Sequence, residues 1–80
     1  MKIILKYFGL IADITGKTEE VWTLEPDLST SQKVIEKLQL EYLRLKEVDY
    51  SIAINQTIVS SETTLNDNDI IALLPPFAGG

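Results

Sequence analysis

Apolar and polar positions alternate along residues 2 to 8, with Ile3, Leu5 and Tyr7 on one side and Lys2, Ile4, Lys6 and Phe8 on the other. A period of two over a run of β-formers predicts a half-buried strand. The lysines assign the second side to solvent, which leaves Ile4 and Phe8 outside the core. An exposed aromatic beside other apolar groups points to a docking surface, although a single surface aromatic is common. After Gly9, Leu10 to Gly16 reads as one helical turn closed by Gly16, and Glu20 to Leu24 reads as a second strand, so a long hairpin results. Pro26-Asp27 ends it. Ser29 followed three residues later by Gln32 has the form of a capping box and predicts a helix starting near Thr30. Along that helix Val34, Leu38, Tyr42 and Leu45 recur at helical spacing, widened by Ile35 and Leu43, so one face packs on a sheet. The opposite charges Lys37 with Glu41, and Glu41 with Arg44, belong on the solvated face.

From Tyr50 the pattern returns to short strands, Ser51 to Ile54 and Thr57 to Ser60, around a tight turn at Asn55-Gln56 where Asn tolerates left-handed angles. Leu65 to Asp69 forms a second turn, and Asp69 to Leu74 the last strand. Glu62, Asp67 and Asp69 flank these turns, which acids do more often than they bind ions, and the ligand spacing of a metal loop is missing. This order of elements, with one amphipathic helix on one sheet face, describes an α+β domain of β-grasp or ubiquitin-like form over residues 1–74. In the final strand Ile71 and Leu73 face the helix. Parity then puts Ile70, Ala72 and Leu74 on the outer face with Ile4 and Phe8, and Ile58 extends that patch.

Residues 75–80, Pro75-Pro76-Phe77-Ala78-Gly79-Gly80, form a tail. Two consecutive prolines lack backbone N–H groups and hold φ near −65°, so they stop sheet pairing and send the chain outward in an extended path. Six residues reach roughly 20 Å at most. Gly79 and Gly80 have no Cβ, so they fit a narrow channel and leave the terminal carboxylate open to attack. A frayed end that happens to be glycine is the plainer reading, and a Gly-Gly end arises by chance roughly once in 200 chains. The preceding Pro-Pro break and the lack of any competing chemical site favour the tail as the functional element.

Composition removes most alternatives. Eighty residues make one domain with a modest core, too small to hollow out for an enzyme's pocket without losing much of its stability. Seven Lys and Arg against twelve Asp and Glu give a net charge of −5, which disfavours nucleic acid and anionic lipid and favours a basic partner surface. With no cysteine and no histidine, disulfides, thiolate or imidazole catalysis and the commonest zinc sites are excluded. Any sulfur chemistry must use something other than a side chain. Lys6 interrupts the first apolar run too early for a signal peptide, and no run approaches the length of a membrane span, so a soluble cytoplasmic protein is expected.

The segment Ala53-Ile54-Asn55-Gln56-Thr57-Ile58-Val59-Ser60, the Asp67-Asn68-Asp69 turn and the Pro75-to-Gly80 end resemble the small-subunit family of molybdopterin synthase, which are ubiquitin-like sulfur carriers. The resemblance covers nearly the whole chain. Residue 68 is commonly glycine in that family, and Asn replaces it in a left-handed turn at modest cost. The resemblance implies that an E1-like enzyme uses ATP to adenylate the Gly80 carboxylate, and that a sulfur donor protein converts it to a thiocarboxylate. The charged tail then enters the large catalytic subunit, in a heterotetramer of two small and two large subunits, and gives sulfur to cyclic pyranopterin monophosphate. Acid and base groups belong to the large subunit, and the carrier itself binds no cofactor. Pro75, Pro76, Phe77, Ala78 and Gly79 would thread the channel, while Phe8, Ile58 and Leu74 would dock the partner. A thiamine-pathway sulfur carrier and a ubiquitin-like protein modifier share the fold and the Gly-Gly end and remain alternatives.

Overall fold

The computed structural model describes residues 1–76. Strand β1 (Lys2–Tyr7) leads through the short helix α1 (Leu10–Thr15) to β2 (Glu19–Thr23), and α2 (Ser31–Glu41) crosses to β3 (Ser51–Ile54), β4 (Thr57–Val59) and β5 (Asp69–Leu74). The strands form one mixed sheet in the order β2-β1-β5-β3-β4. The two central strands, β1 and β5, run parallel, with Ile3 beside Asp69 and Tyr7 beside Leu73, and the other pairs are antiparallel. This is the β-grasp architecture expected from the order of elements.

Alternation along β1 and β5 does the sorting. Ile3, Leu5, Tyr7, Ile71 and Leu73 are buried and meet Val34 and Leu38 of α2 in one core, closed by Ile11, Leu24, Leu45, Ile54 and Leu65. Gly16 ends α1 at φ 73°, its N–H donating to the Ala12 carbonyl at 2.9 Å, as anticipated for a glycine stop.

The beginning of α2 differs from expectation. Thr30, not Ser29, is the cap, and its hydroxyl accepts from the Lys33 N–H at 3.4 Å. Pro26–Leu28 forms a 3-10 turn that carries Ser29 out of the cap position. Segment 63–65 straps this end down: the Ser31 N–H donates to the Thr63 carbonyl at 2.8 Å, the Thr63 N–H to the buried Ser31 hydroxyl at 2.9 Å, and the Leu65 N–H to the Ser29 carbonyl at 2.7 Å. The far end also differs. The α-helix stops at Glu41, and Leu43–Glu47 is a 3-10 turn that buries Leu45 but leaves Leu43 65% exposed, so Leu43 does not widen the apolar stripe. Lys37 lies over the Trp22 ring at 5.5 Å rather than bridging to Glu41. Among the described residues the ion pair present is Lys17 with Glu20, at 3.3 Å.

Candidate functional site

The outer face of the sheet carries a concavity of about 410 Å³ lined by Lys6, Phe8, Ala53, Asn55, Gln56, Ile58, Ile70, Ala72 and Leu74. Its shape follows from side-chain size at neighbouring ladder positions. Ala53 lies directly across from Ala72 on one side and Ile58 on the other, so two methyl groups make a low floor between larger walls. Phe8, 44% exposed, and Ile58, 49% exposed, stand on opposite sides of it, with Leu74 between them at the end of β5. The three residues predicted to dock a partner are therefore brought together. Ile4, placed in the same patch by parity, pairs with Val21 and Ile70 on the outer face but is not part of the concavity's lining.

Lys6, Ala53, Asn55 and Gln56 complete the site and were not anticipated. The signal for Ala53 was present in the alternation of β3, where Ile52 and Ile54 turn to the core and Ala53 must turn outward. The Asn55-Gln56 turn is held in place by its first residue. Asn55 and Gln56 have φ of 49° and 73°, the two left-handed residues of a type I′ hairpin turn. The Asn55 N–H donates to the Ile70 carbonyl at 2.8 Å, its side-chain oxygen accepts from the Ile70 N–H at 3.0 Å, and its amide donates to the buried Asp69 carboxylate at 2.8 Å. Asp69 in turn accepts from the Asn66 N–H at 2.7 Å. One asparagine thus clasps the β3–β4 hairpin to β5 at the rim of the concavity.

Because β1 and β5 are parallel, they end at the same edge of the sheet. The Phe8 N–H donates to the Leu73 carbonyl at 3.2 Å, and Pro75 and Pro76 follow Leu74 as exposed residues. The root of the tail and the apolar concavity thus share Phe8 and Leu74. Phe77, Ala78, Gly79 and Gly80 lie outside the described residues, and the roles expected for them rest on sequence. Among the described residues no group of three or more acidic side chains could hold a metal ion, and no helix is long and apolar enough to cross a membrane.

The ThiS family model matches residues 5–80, almost the whole chain and all of its tail. This chain belongs to the ThiS family. It is 35% identical to the molybdopterin synthase sulfur carrier subunit of Dictyostelium discoideum, over 99% of this chain and 94% of that protein. Among solved structures, a putative molybdopterin converting factor subunit 1 from Pyrococcus furiosus superposes with a TM-score of 0.86 at 28% identity, covering 96% of this chain and 99% of that one. A chain of the protein–protein complex of subunits 1 and 2 of molybdopterin-converting factor from Helicobacter pylori 26695 superposes with a TM-score of 0.72 at 25% identity over the full length of both chains. The ThiS-family fold and the ubiquitin-like β-grasp described above are one and the same.

Proposed function

We propose that this ThiS-family chain is the sulfur carrier subunit of a molybdopterin synthase. What carries the reading is its likeness, over nearly its full length, to proteins named as that carrier and as subunit 1 of the converting factor, with the family match running through Gly80. The concavity beside the tail root supports it by supplying what a carrier needs, a docking face continuous with the segment to be delivered. The Helicobacter pylori complex of subunits 1 and 2 supports a partner subunit, and the concavity is the face on which we place the large one. An apolar floor with a single lysine on its rim suits an apolar partner surface, and the acidic charge of the chain favours a basic surround.

The chemistry needs no side chain of this chain. The Gly80 carboxylate oxygen attacks the α-phosphorus of ATP and pyrophosphate leaves, which converts a poor electrophile into a mixed anhydride. Hydrosulfide, free or delivered by a donor, then forms the C–S bond as the C–O bond to AMP breaks. The product thiocarboxylate is ionised and nucleophilic at neutral pH. Inside the larger subunit the thiocarboxylate sulfur bonds to a side-chain carbon of cyclic pyranopterin monophosphate as an oxygen leaves that carbon, and water then cleaves the acyl C–S bond and returns the Gly80 carboxylate. Two such transfers make the dithiolene of molybdopterin.

Intact mass spectrometry after incubation with ATP, an E1-like activating enzyme and sulfide tests the reading. Replacement of one oxygen by sulfur in the full chain, and none in a variant lacking Gly80 that melts like the wild type, is the expected result. Thiocarboxylate on the truncated chain would remove Gly80 from the role. Sulfur transfer to thiamine-pathway partners instead, or amide adducts to lysines of other proteins, would favour the other two carrier types.

A further inference from the structure

The tail is seated on a glycine. Gly9 has φ 56° and ψ −131°, angles that residues with a Cβ rarely adopt. A Cβ built there would stand 2.9 Å from Cγ of Pro75 and 3.9 Å from its Cδ. Gly9 therefore does two things at once: it turns the chain out of β1 toward α1, and it leaves the space that the Pro75 ring occupies. The seat lies one residue beyond Phe8, whose N–H ends the β1–β5 ladder on the Leu73 carbonyl.

We infer that Gly9 is a positioning residue for sulfur loading and transfer, because by seating Pro75 it fixes the heading with which the tail leaves the docking face. This rests on the carrier reading above. Pro75 and Pro76 both have φ locked near −65°, so a heading set at the first is passed to the second rather than dissipated. From Pro76 to Gly80 the chain spans roughly 17 Å at most, at about 3.3–3.6 Å per residue. So short a reach leaves little slack for a wrong start. Misplacement by about 1 Å far from the chemistry can cost on the order of a hundredfold in rate. The docking concavity does not include Gly9, so the loss should fall on turnover and not on affinity.

Full-length Gly9→Ala, Pro75→Ala and the double variant test this, with ATP, activating enzyme and sulfide. Rates of thiocarboxylate formation are followed against carrier concentration, and affinity for the large subunit by calorimetry. Gly9→Ala is expected to lower kcat about tenfold or more while KM and affinity stay within about threefold. Pro75 is exposed and outside the sheet, so Pro75→Ala should stay folded and lower kcat by about threefold or more. In the Pro75→Ala background the Gly9 substitution should change kcat less than about twofold, since the ring it collides with is gone. Backbone strain at Gly9 lowers Tm equally in both backgrounds, so a glycine with only a structural role would show no such coupling in kcat. Wild-type kcat in either single variant, or equal losses from Gly9→Ala in the two backgrounds, would overturn the inference. If the wild-type chain acquires no sulfur, the carrier reading is what fails. The seat is then judged alone by nuclear Overhauser contacts between Gly9 Hα and the Pro75 ring, whose absence overturns it.

Discussion

At Glu20 one carboxylate collects three side chains. The Tyr7 hydroxyl donates to Oε2 at 2.5 Å, the Tyr42 hydroxyl to the same oxygen at 2.9 Å, and Lys17 Nζ to Oε1 at 3.3 Å. The two phenol rings meet edge to face with centroids 6.3 Å apart. This knot ties the β1–β2 hairpin to the end of α2. Burial, and then the bond to Glu20, push the Tyr7 phenol far above its ordinary value, and the same causes raise Tyr42. Burial alone would raise Glu20 too, but the bonds from Tyr7 and Tyr42, helped by Trp22 and Lys17, outweigh it and hold the carboxyl below its ordinary 4.5. The signs follow by linkage. The phenols contribute stability that is fully present below their ordinary value of 10 and is lost as pH rises through their raised values. Glu20 contributes stability that is present above 4.5 and is lost as pH falls through its lowered value. Tyr7→Phe should cost about 1.5 kcal/mol or more in urea unfolding at pH 7, as expected for a bond to a charged acceptor, and should flatten the alkaline limb of stability against pH. Glu20→Gln should flatten the acid limb, and an unchanged acid limb would mean that other carboxyls carry it. Helical and strand spacing made Tyr7 and Tyr42 legible as core. Glu20 was not, because a polar residue on the inner side of an edge strand looks like a strand start until the phenols opposite are known.

Helix α2 shows what periodicity reads and what it does not. Its buried stripe was legible because Val34, Leu38 and Leu45 keep facing the sheet whether the last turn is α or 3-10. The ends were not legible by the same signal. Ser29, Thr30 and Ser31 are all capping residue types, and the choice among them is made by Pro26–Leu28 curling into a 3-10 turn and by the strap from Thr63 to Leu65. Thr30→Ala should therefore cost about 1 kcal/mol, typical of a lost N-cap, while Ser29→Ala should change stability by only a few tenths, both read from urea midpoints. Equal losses would return the cap to Ser29. The β3–β4 turn gives the opposite sign. Gln56 sits at φ 73°, where a Cβ is unfavourable and glycine is at ease, so Gln56→Gly should raise stability by about 0.5 kcal/mol or more. Asn55 permits no such exchange, since its side chain makes the clasp to Ile70 and Asp69. The sequence marked Asn55 as tolerant of left-handed angles and was silent on Gln56, and only the position of β5 shows that the Asn55 side chain has a second role.

For the molecule as a whole, the parallel pairing of β1 with β5 puts the apolar concavity and the root of the tail at one edge, and strand parity was enough to say which residues would face outward there. Alternation says which residues face outward, but it does not say that Ala53 and Ala72 sit side by side, and that pairing is what turns an apolar face into a concavity. Ile4 shows the limit, since it is outward and apolar yet stands beyond the alanine floor, next to Val21. The arrangement distinguishes a specific site from general stickiness of the sheet. Phe8 and Leu74 line the concavity, whereas Val21, 58% exposed on the edge strand β2, lies on the same face outside it. Truncating a central interface aromatic commonly costs about 2 kcal/mol or more, close to thirtyfold in affinity, and a buried unpaired charge adds to that. Phe8→Glu and Leu74→Glu should each weaken binding to the large subunit by roughly thirtyfold or more, with circular dichroism unchanged because both side chains point away from the core. Val21→Glu should leave affinity within about threefold, the level of a near-neutral site outside the interface centre. Calorimetric titration of the three variants separates the outcomes: wild-type affinity in Phe8→Glu and Leu74→Glu would place the partner on another surface. An equal loss in Val21→Glu would mean that the whole sheet face, rather than the alanine-floored concavity, is what the partner covers.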